Sequence, residues 1–388
     1  MKGGRARCCC SQSLLLPLLL LLVGGATGRT VTVSNVAPRL DVDGRFVDAH
    51  DGTLLYHAGT FYLYGETTGN LTATRYPWGS PPGSVQPTIA VYTSPDLVTW
   101  TLRTTKAYNH NGGAGWIPSV IFDANTGRFV MWVGCGGWCV STSYDGIHFV
   151  NTTLQWSRYG PGVGTDGTAL FVDRDGTGYV LFSSLQNANH LPSIEKLAPD
   201  YLSSTGELIF TFPPSVTWVE NGAIWRTATG ELYAAVSSCC CACTLGSGLQ
   251  TFWSPTGSMR PEDGGPRFQT QAPYGDVNCV HAGADRCGAF TPHDAPSDLV
   301  WHAQWAHVAP LPLNGTTMFV AVGRRWLSGP GHPASPPCAT MCSSDACDAP
   351  GYPIARDFDV WQPLVFSPDG HVLPFATTKM DEFTVSLP

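Results

Sequence analysis

A phrase returns along this chain at intervals of roughly fifty residues: a turn that joins Asp, Asn or Thr to Gly, followed at once by an alternating apolar strand. It reads His57-Ala-Gly-Thr-Phe-Tyr-Leu-Tyr-Gly-Glu66, then Asn125-Thr-Gly-Arg-Phe-Val-Met-Trp-Val133, then Asp173-Arg-Asp-Gly-Thr-Gly-Tyr-Val-Leu-Phe182. Looser copies are Ala228-Thr-Gly-Glu-Leu-Tyr-Ala-Ala-Val236 and Asn314-Gly-Thr-Thr-Met-Phe-Val-Ala-Val322, which brings the count to five. A short Gly-containing hairpin repeated at this period cannot bury both of its faces alone. It does so only by stacking against its neighbours, as the blades of a propeller do. The repeats therefore predict an all-β chain folded as a five-bladed β-propeller of four-stranded blades, with the first strand of each blade lining a central channel.

Composition fits an all-β chain. Gly 43 and Pro 31 in 388 residues supply turns, aromatic residues make up 11% and charged residues only 13%, a mix suited to wide pleated surfaces rather than amphipathic helices. The formal charge of −8, with no basic cluster to neutralise a phosphate backbone, excludes a nucleic-acid surface and favours a neutral or weakly polar ligand.

The first residues read as a targeting segment: Lys2, Arg5 and Arg7, then an apolar run from Leu14 to Val23, then the small residues Ala26-Thr-Gly28. Residues 1–28 are expected to be a signal peptide and 29–388 a single propeller domain, secreted, monomeric and without a membrane anchor. Eleven cysteines follow the leader, all in or beside Gly, Pro or Ser-rich loops, which in an oxidising compartment reads as loop-closing disulfides. Local candidates are Cys135 with Cys139, Cys279 with Cys287, and pairs among Cys338, Cys342 and Cys347. The run Cys239-Cys-Cys-Ala-Cys243 is read as disulfide-forming rather than as a zinc site, because its spacing lacks a second two-residue spacer. No metal and no cofactor are expected. Asn70, Asn151 and Asn314 head N-glycosylation sequons.

A propeller says nothing of chemistry by itself, so attention falls on acids near the ends of the channel-lining strands. Asp48, His50 and Asp51 crowd ahead of the first hairpin. Asp166 stands at the mouth of an apolar strand, and Glu220 is the only acid in Trp218-Val-Glu-Asn-Gly-Ala-Ile-Trp225. Carboxylates brought to one depth by separate blades would suit glycoside hydrolysis, which needs one protonated acid at the leaving oxygen and a second group across the sugar.

Five stretches then carry a resemblance. Tyr56-His-Ala-Gly-Thr-Phe-Tyr-Leu-Tyr-Gly-Glu66, Thr93-Ser-Pro-Asp-Leu-Val-Thr-Trp100, Val120-Ile-Phe-Asp-Ala-Asn-Thr-Gly-Arg-Phe-Val-Met-Trp132, Leu170-Phe-Val-Asp-Arg-Asp-Gly-Thr-Gly-Tyr179 and Val360-Trp-Gln-Pro-Leu-Val-Phe366 resemble glycoside hydrolase family 43. Within it, the chain is similar to the exo-β-1,3-galactanase branch, in order from about residue 40 to 375. The resemblance implies an exo-acting, inverting glycosidase whose partner is a galactan or arabinogalactan-type oligo- or polysaccharide.

Residue by residue, the resemblance makes Glu220 the general acid, with Trp218 and Trp225 desolvating it. It makes Gln304, in Ala303-Gln-Trp-Ala-His-Val-Ala-Pro-Leu311, the group that positions water. Glu66 matches a substrate-contacting acid, Asp166 approximates the acid that tunes the general acid, and Trp326 of Val322-Gly-Arg-Arg-Trp326 resembles part of a sugar platform. His50 and Asp48 are read as further substrate contacts. Two departures stand out: Trp116-Ile-Pro-Ser119 replaces a segment that carries an acid, and Asp51 replaces a Gly and adds a carboxylate that is a second candidate base. The alternatives are a sugar-binding propeller without turnover and an arabinofuranosidase or xylosidase of the same family. Asp173 and Asp175 are read as turn formers.

Overall fold

The computed structural model describes residues 28–69, 87–108, 115–161, 165–184, 190–216, 219–238, 246–271, 275–278, 299–326, 328–330 and 354–388. The leader, Asn70, Trp218, the 239–243 cysteine run and every cysteine from Cys279 onward lie outside these residues.

After β1 (Thr30–Ser34) the chain forms antiparallel sheets in strict sequence order. Blade 1 is β2 (Leu54–His57), β3 (Thr60–Thr67), β4 (Thr88–Ser94) and β5 (Thr101–Thr104). Blade 2 is β6 (Trp116–Asp123), β7 (Arg128–Gly134), β8 (Trp138–Ser143) and β9 (Val150–Gln155). Blade 3 is β10 (Thr165–Val172), β11 (Gly178–Ser184), β12 (Leu191–Leu197) and β13 (Ser204–Thr211). Blade 4 is β14 (Val219–Arg226), β15 (Leu232–Ser238), β16 (Leu249–Ser254) and β17 (Gln269–Thr270). Blade 5 has three strands among the described residues, β18 (Gln304–Leu313), β19 (Thr316–Arg325) and β20 (Phe358–Pro363). The first strands touch around a closed ring, β2 to β6 to β10 to β14 to β18 and back to β2, so the fold is the expected five-bladed propeller.

Each repeat phrase is the hairpin between the first and second strands of one blade. At Asn314-Gly315 both turn residues take positive φ, 56° and 69°, the geometry whose twist matches that of flanking strands and that Asn and Gly adopt most cheaply. The second strands explain why the phrases are so apolar. In β7, Phe129, Met131 and Val133 pack toward blade 1 while Val130 and Trp132 pack toward blade 3. In β15, Leu232, Ala234 and Val236 face blade 3 while Tyr233 and Ala235 face blade 5. Both parities are buried, so the phrases are continuous apolar runs rather than the alternating strands the sequence suggested. Among the described residues the core accordingly includes a wedge at each of the five blade junctions.

The last wedge closes the ring. β1 pairs with β21 (Glu382–Ser386), from Thr30 opposite Ser386 to Ser34 opposite Glu382, and Val33, Phe383 and Val385 fill the joint between blades 5 and 1. Asn35 accepts a hydrogen bond from the Trp361 N–H and returns one to its carbonyl, both 2.8 Å, which ties the N-terminal segment to β20. A disulfide joins Cys135 to Cys139 as the sequence suggested, closing the β7–β8 turn.

Candidate active site

The starts of the five inner strands meet at one end of the channel, and the candidate residues gather there. Trp116 and Gln304 are the first residues of β6 and β18, Asp166 and Glu220 the second residues of β10 and β14, and Asp51 lies just before β2. Backbone contact sets these positions. A Cβ on Gly167, whose φ is 61°, would stand 1.7 Å from the Glu220 carbonyl oxygen, so only glycine lets the irregular start of β10 lie against β14. A Cβ on Gly52 would fall 2.0 Å from the Tyr64 oxygen and one on Gly65 2.3 Å from the Ala49 carbonyl carbon. The 48–52 segment is thereby pressed across β3, where His50 and Glu66 exchange backbone hydrogen bonds of 3.0 and 2.7 Å.

Glu220 is 8% exposed, and its Oε2 accepts a 2.7 Å hydrogen bond from Gln304 Nε2. Gln304 Oε1 in turn accepts from the Trp326 indole N–H at 2.8 Å. Across the ladder from Gln304 stands Arg324, wholly buried, its guanidinium carbon 3.6 Å over the Trp326 ring, with Nη1 3.0 Å from Asp51 Oδ2 and Nη2 3.4 Å from Asp357 Oδ2. Arg324 is also the ladder partner of Asp359, whose Oδ1 lies 3.3 Å from His50 Nδ1. Gln304, Arg324 and Asp359 thus form one row across blade 5, and Asp51 and His50 fasten blade 1 to it.

His50 is 1% exposed and sits between carboxylates, with Asp48 Oδ1 3.4 Å from Nε2 at ion-pair distance but without hydrogen-bond alignment. Burial and the nearby Arg324 charge depress its pKa, yet Asp359 and Asp48 outweigh them and push it up to about 9. Asp48 is penalised by burial, but His50, the Gly69 N–H and the Thr67 hydroxyl hold it down at about 2. Burial raises Asp51, with Arg324 opposing.

This geometry revises several sequence expectations. Gln304 and Glu220 touch, so they cannot face each other across a sugar: an inverting pair needs roughly 6.5–9.5 Å between its groups. Trp326 is 3% exposed and Arg324 covers one ring face, so it offers no platform to a sugar. Asp48 spends its oxygens on Thr67, Thr68 and Gly69, and His50 is enclosed by acids, so both hold the fold rather than substrate. Trp225 stacks on Tyr233 five residues along from Glu220, about 16 Å at the usual ~3.3 Å rise, too far to desolvate it. Glu66 is 2% exposed and its Oε1 accepts from the Ile117 N–H at 2.8 Å. Asp166 enters the ladder opposite Ser183, one residue before the Gly167 contact with Glu220. Asp173 is a turn residue as read, paired with Arg226 through two hydrogen bonds of 2.7 and 2.6 Å.

Sequence reasoning missed Arg324, Asp357 and Asp359. The alternation in Arg356-Asp-Phe-Asp359 was the available signal, since acids two apart on an apolar strand share a face. Ile117 was also missed: its φ of 47° is strained for a β-branched residue, and it is the conformation in which its N–H meets Glu66. A cavity of about 400 Å³ lies farther along the channel, lined by residues of all five inner strands, including Leu55, Val172, Arg226 and His307.

No protein-family model and no curated protein matches the chain. Solved structures do. A family 43 β-1,3-galactosidase is 18% identical, with 92% of this chain covered and a TM-score of 0.60, and this chain spans 64% of its length. An exo-β-1,3-galactanase from Phanerochaete chrysosporium with galactose is 19% identical at TM-score 0.62, over 92% of this chain and 69% of that one. A family 43 β-1,3-galactosidase with galactodeoxynojirimycin is 19% identical at 0.59, over 88% of this chain and 97% of its own. At these identities what is shared is the five-bladed fold.

Proposed function

We propose that this chain is a glycoside hydrolase that cleaves β-1,3 linkages in a galactan or arabinogalactan-type polysaccharide, exo-acting and inverting, with Glu220 as the proton donor. The observation that carries the reading is Glu220 itself, a buried carboxyl at the channel end where the inner strands of all five blades begin, with Oε2 accepting from the Gln304 amide. Burial disfavours the charged form of a carboxyl, which suits a group that has to give a proton to a leaving oxygen. The similar folds include galactanases solved with galactose and with β-1,3-galactotriose, which supports the sugar class.

In this scheme Glu220 protonates the glycosidic oxygen as its bond to the anomeric carbon breaks. Asp51 takes a proton from the water that attacks the opposite face. Its Oδ2 is occupied by Arg324, while its Oδ1 has no hydrogen-bond partner among the described residues and keeps its acceptor capacity. The Cys135–Cys139 disulfide supports secretion, because such bonds persist in oxidising compartments.

The rival reading is sugar binding without turnover. It is favoured by Trp116-Ile-Pro-Ser119, where the resemblance expects an acid. Incubating purified protein with β-1,3-galactan, arabinogalactan and aryl β-galactosides, α-arabinofuranosides and β-xylosides separates the two. Release of α-galactose, observed by proton NMR before mutarotation, supports the proposal; binding with no product ends it.

A further inference from the structure

Trp326 resembles a sugar platform in sequence, but the structure gives it a different task. Its indole N–H is a donor only, so the Gln304 atom it meets at 2.8 Å must be the carbonyl oxygen. That contact fixes which way the Gln304 amide points, a choice that is otherwise open for any glutamine. With Oε1 turned to Trp326, the NH2 group is turned to Glu220, and it donates to Oε2 at 2.7 Å. Trp326 is itself held: Arg324 lies flat over its ring at 3.6 Å and is pinned by Asp51 and Asp357. All these groups are buried, so water does not compete for the amide.

We infer that Trp326, through Gln304, is a positioning residue that decides which oxygen of Glu220 carries the transferable proton. Because Oε2 already accepts from the amide, the proton of the acid form belongs on Oε1. A glutamine flipped by 180° would present an acceptor to Oε2 instead, draw the proton there and aim it at the protein. Arg324 serves the same end by fixing the plane of the indole. The inference rests on Glu220 being the proton donor. Among the described residues, the ionisable ones on segments that meet this end of β14 are His190, whose carbonyl accepts from the Val219 N–H at 3.3 Å, Asp166 on β10, His302 in the approach to β18, and Arg324, the ladder partner of Gln304.

The decisive variant is Trp326→Phe, which keeps an aromatic ring beneath Arg324 and removes the N–H together with part of the indole. A donor to the carboxylate favours its ionised form, so losing the fixed donor should raise the Glu220 titration by about one pH unit. In turnover this reads as a shift of the alkaline limb of the pH–rate profile to higher pH, with kcat reduced about tenfold and KM unchanged. Gln304→Leu should move the limb in the same direction, and the double variant should move it no farther than Gln304→Leu alone, since both act through one contact. The carboxyl is also followed without turnover, by carbon-13 NMR of protein labelled at glutamate, the Glu220 signal being the one lost in Glu220→Gln. A folded Trp326→Phe protein whose Glu220 titrates as in the wild type overturns the inference. A shifted titration in a protein that releases no sugar leaves the positioning role standing and removes the hydrolase reading instead.

Discussion

Gln304 donates to Glu220 at 2.7 Å, so the two groups form one unit on one side of the channel. A sugar cannot lie between them, so in the proposed inverting hydrolysis the water has to be activated from elsewhere. Asp51 is a carboxylate on a different blade, joined to this unit through Arg324 and Trp326.

Glu220→Gln retains the shape and the Gln304 contact region but has no proton to give. Hydrolysis of β-1,3-galactan should fall by at least ~10²-fold while galacto-oligosaccharide binding by calorimetry stays within a few-fold of wild type. Full turnover in that variant would remove Glu220 from the mechanism.

The repeat phrases exposed the architecture because each marks a first hairpin, and hairpin chemistry is local: Asn314-Gly315 specifies its turn without help from the rest of the chain. The place of Glu220 at the start of an inner strand was legible for a related reason, as a lone acid in an apolar stretch. What escaped was everything that depends on ring closure. Arg324 meets Asp51 across 273 residues of sequence, and His50 meets Asp359 across 309, pairings that no spacing rule reaches. The setting of Trp326 was hidden because an aromatic in that phrase reads the same in sequence whether its face is open or covered by a buried arginine.

His50 makes stability depend on pH in a defined window. Its folded pKa of about 9 lies above the unfolded value of ~6.5, so the folded state binds the extra proton between them. The contribution is complete below pH ~6.5 and is lost as pH rises through about 9, on the order of 3 kcal/mol in all. Urea midpoints measured from pH 6 to 10 should decline, and His50→Gln should be less stable at pH 6 but flatter across the same range. Parallel curves for the two proteins would show that the imidazolium is not what joins blade 1 to blade 5.

Gly167 should not tolerate even a methyl group. In Gly167→Ala the new Cβ would overlap the Glu220 carbonyl oxygen, 1.7 Å away, and sit on a backbone with φ of 61°. Overpacking and the left-handed backbone together should cost roughly 2–4 kcal/mol. Because the displaced atom belongs to Glu220, kcat should fall by more than the loss of folded protein explains. Denaturant unfolding and active-site-normalised kinetics, run on the same preparation, check both parts.

Asp51 separates a working enzyme from a sugar-binding descendant, and two substitutions isolate its charge from its backbone. Asp51→Asn keeps the side chain near Arg324 but cannot take a proton, so kcat should drop at least ~10²-fold with sugar binding retained. Arg324 still has Asp357 at 3.4 Å, so the variant should fold, at a cost of about 1–3 kcal/mol for weakening a buried pair. Asp51→Gly relieves a φ of 53° that favours glycine, a gain of about 1 kcal/mol set against the same lost ion pair. It should therefore be close to Asp51→Asn in stability and equally inactive. If Asp51→Gly instead hydrolyses β-1,3-galactan faster than wild type, the carboxylate is not the base. Its task is then confined to neutralising Arg324, and the water must be activated by another group at the channel mouth.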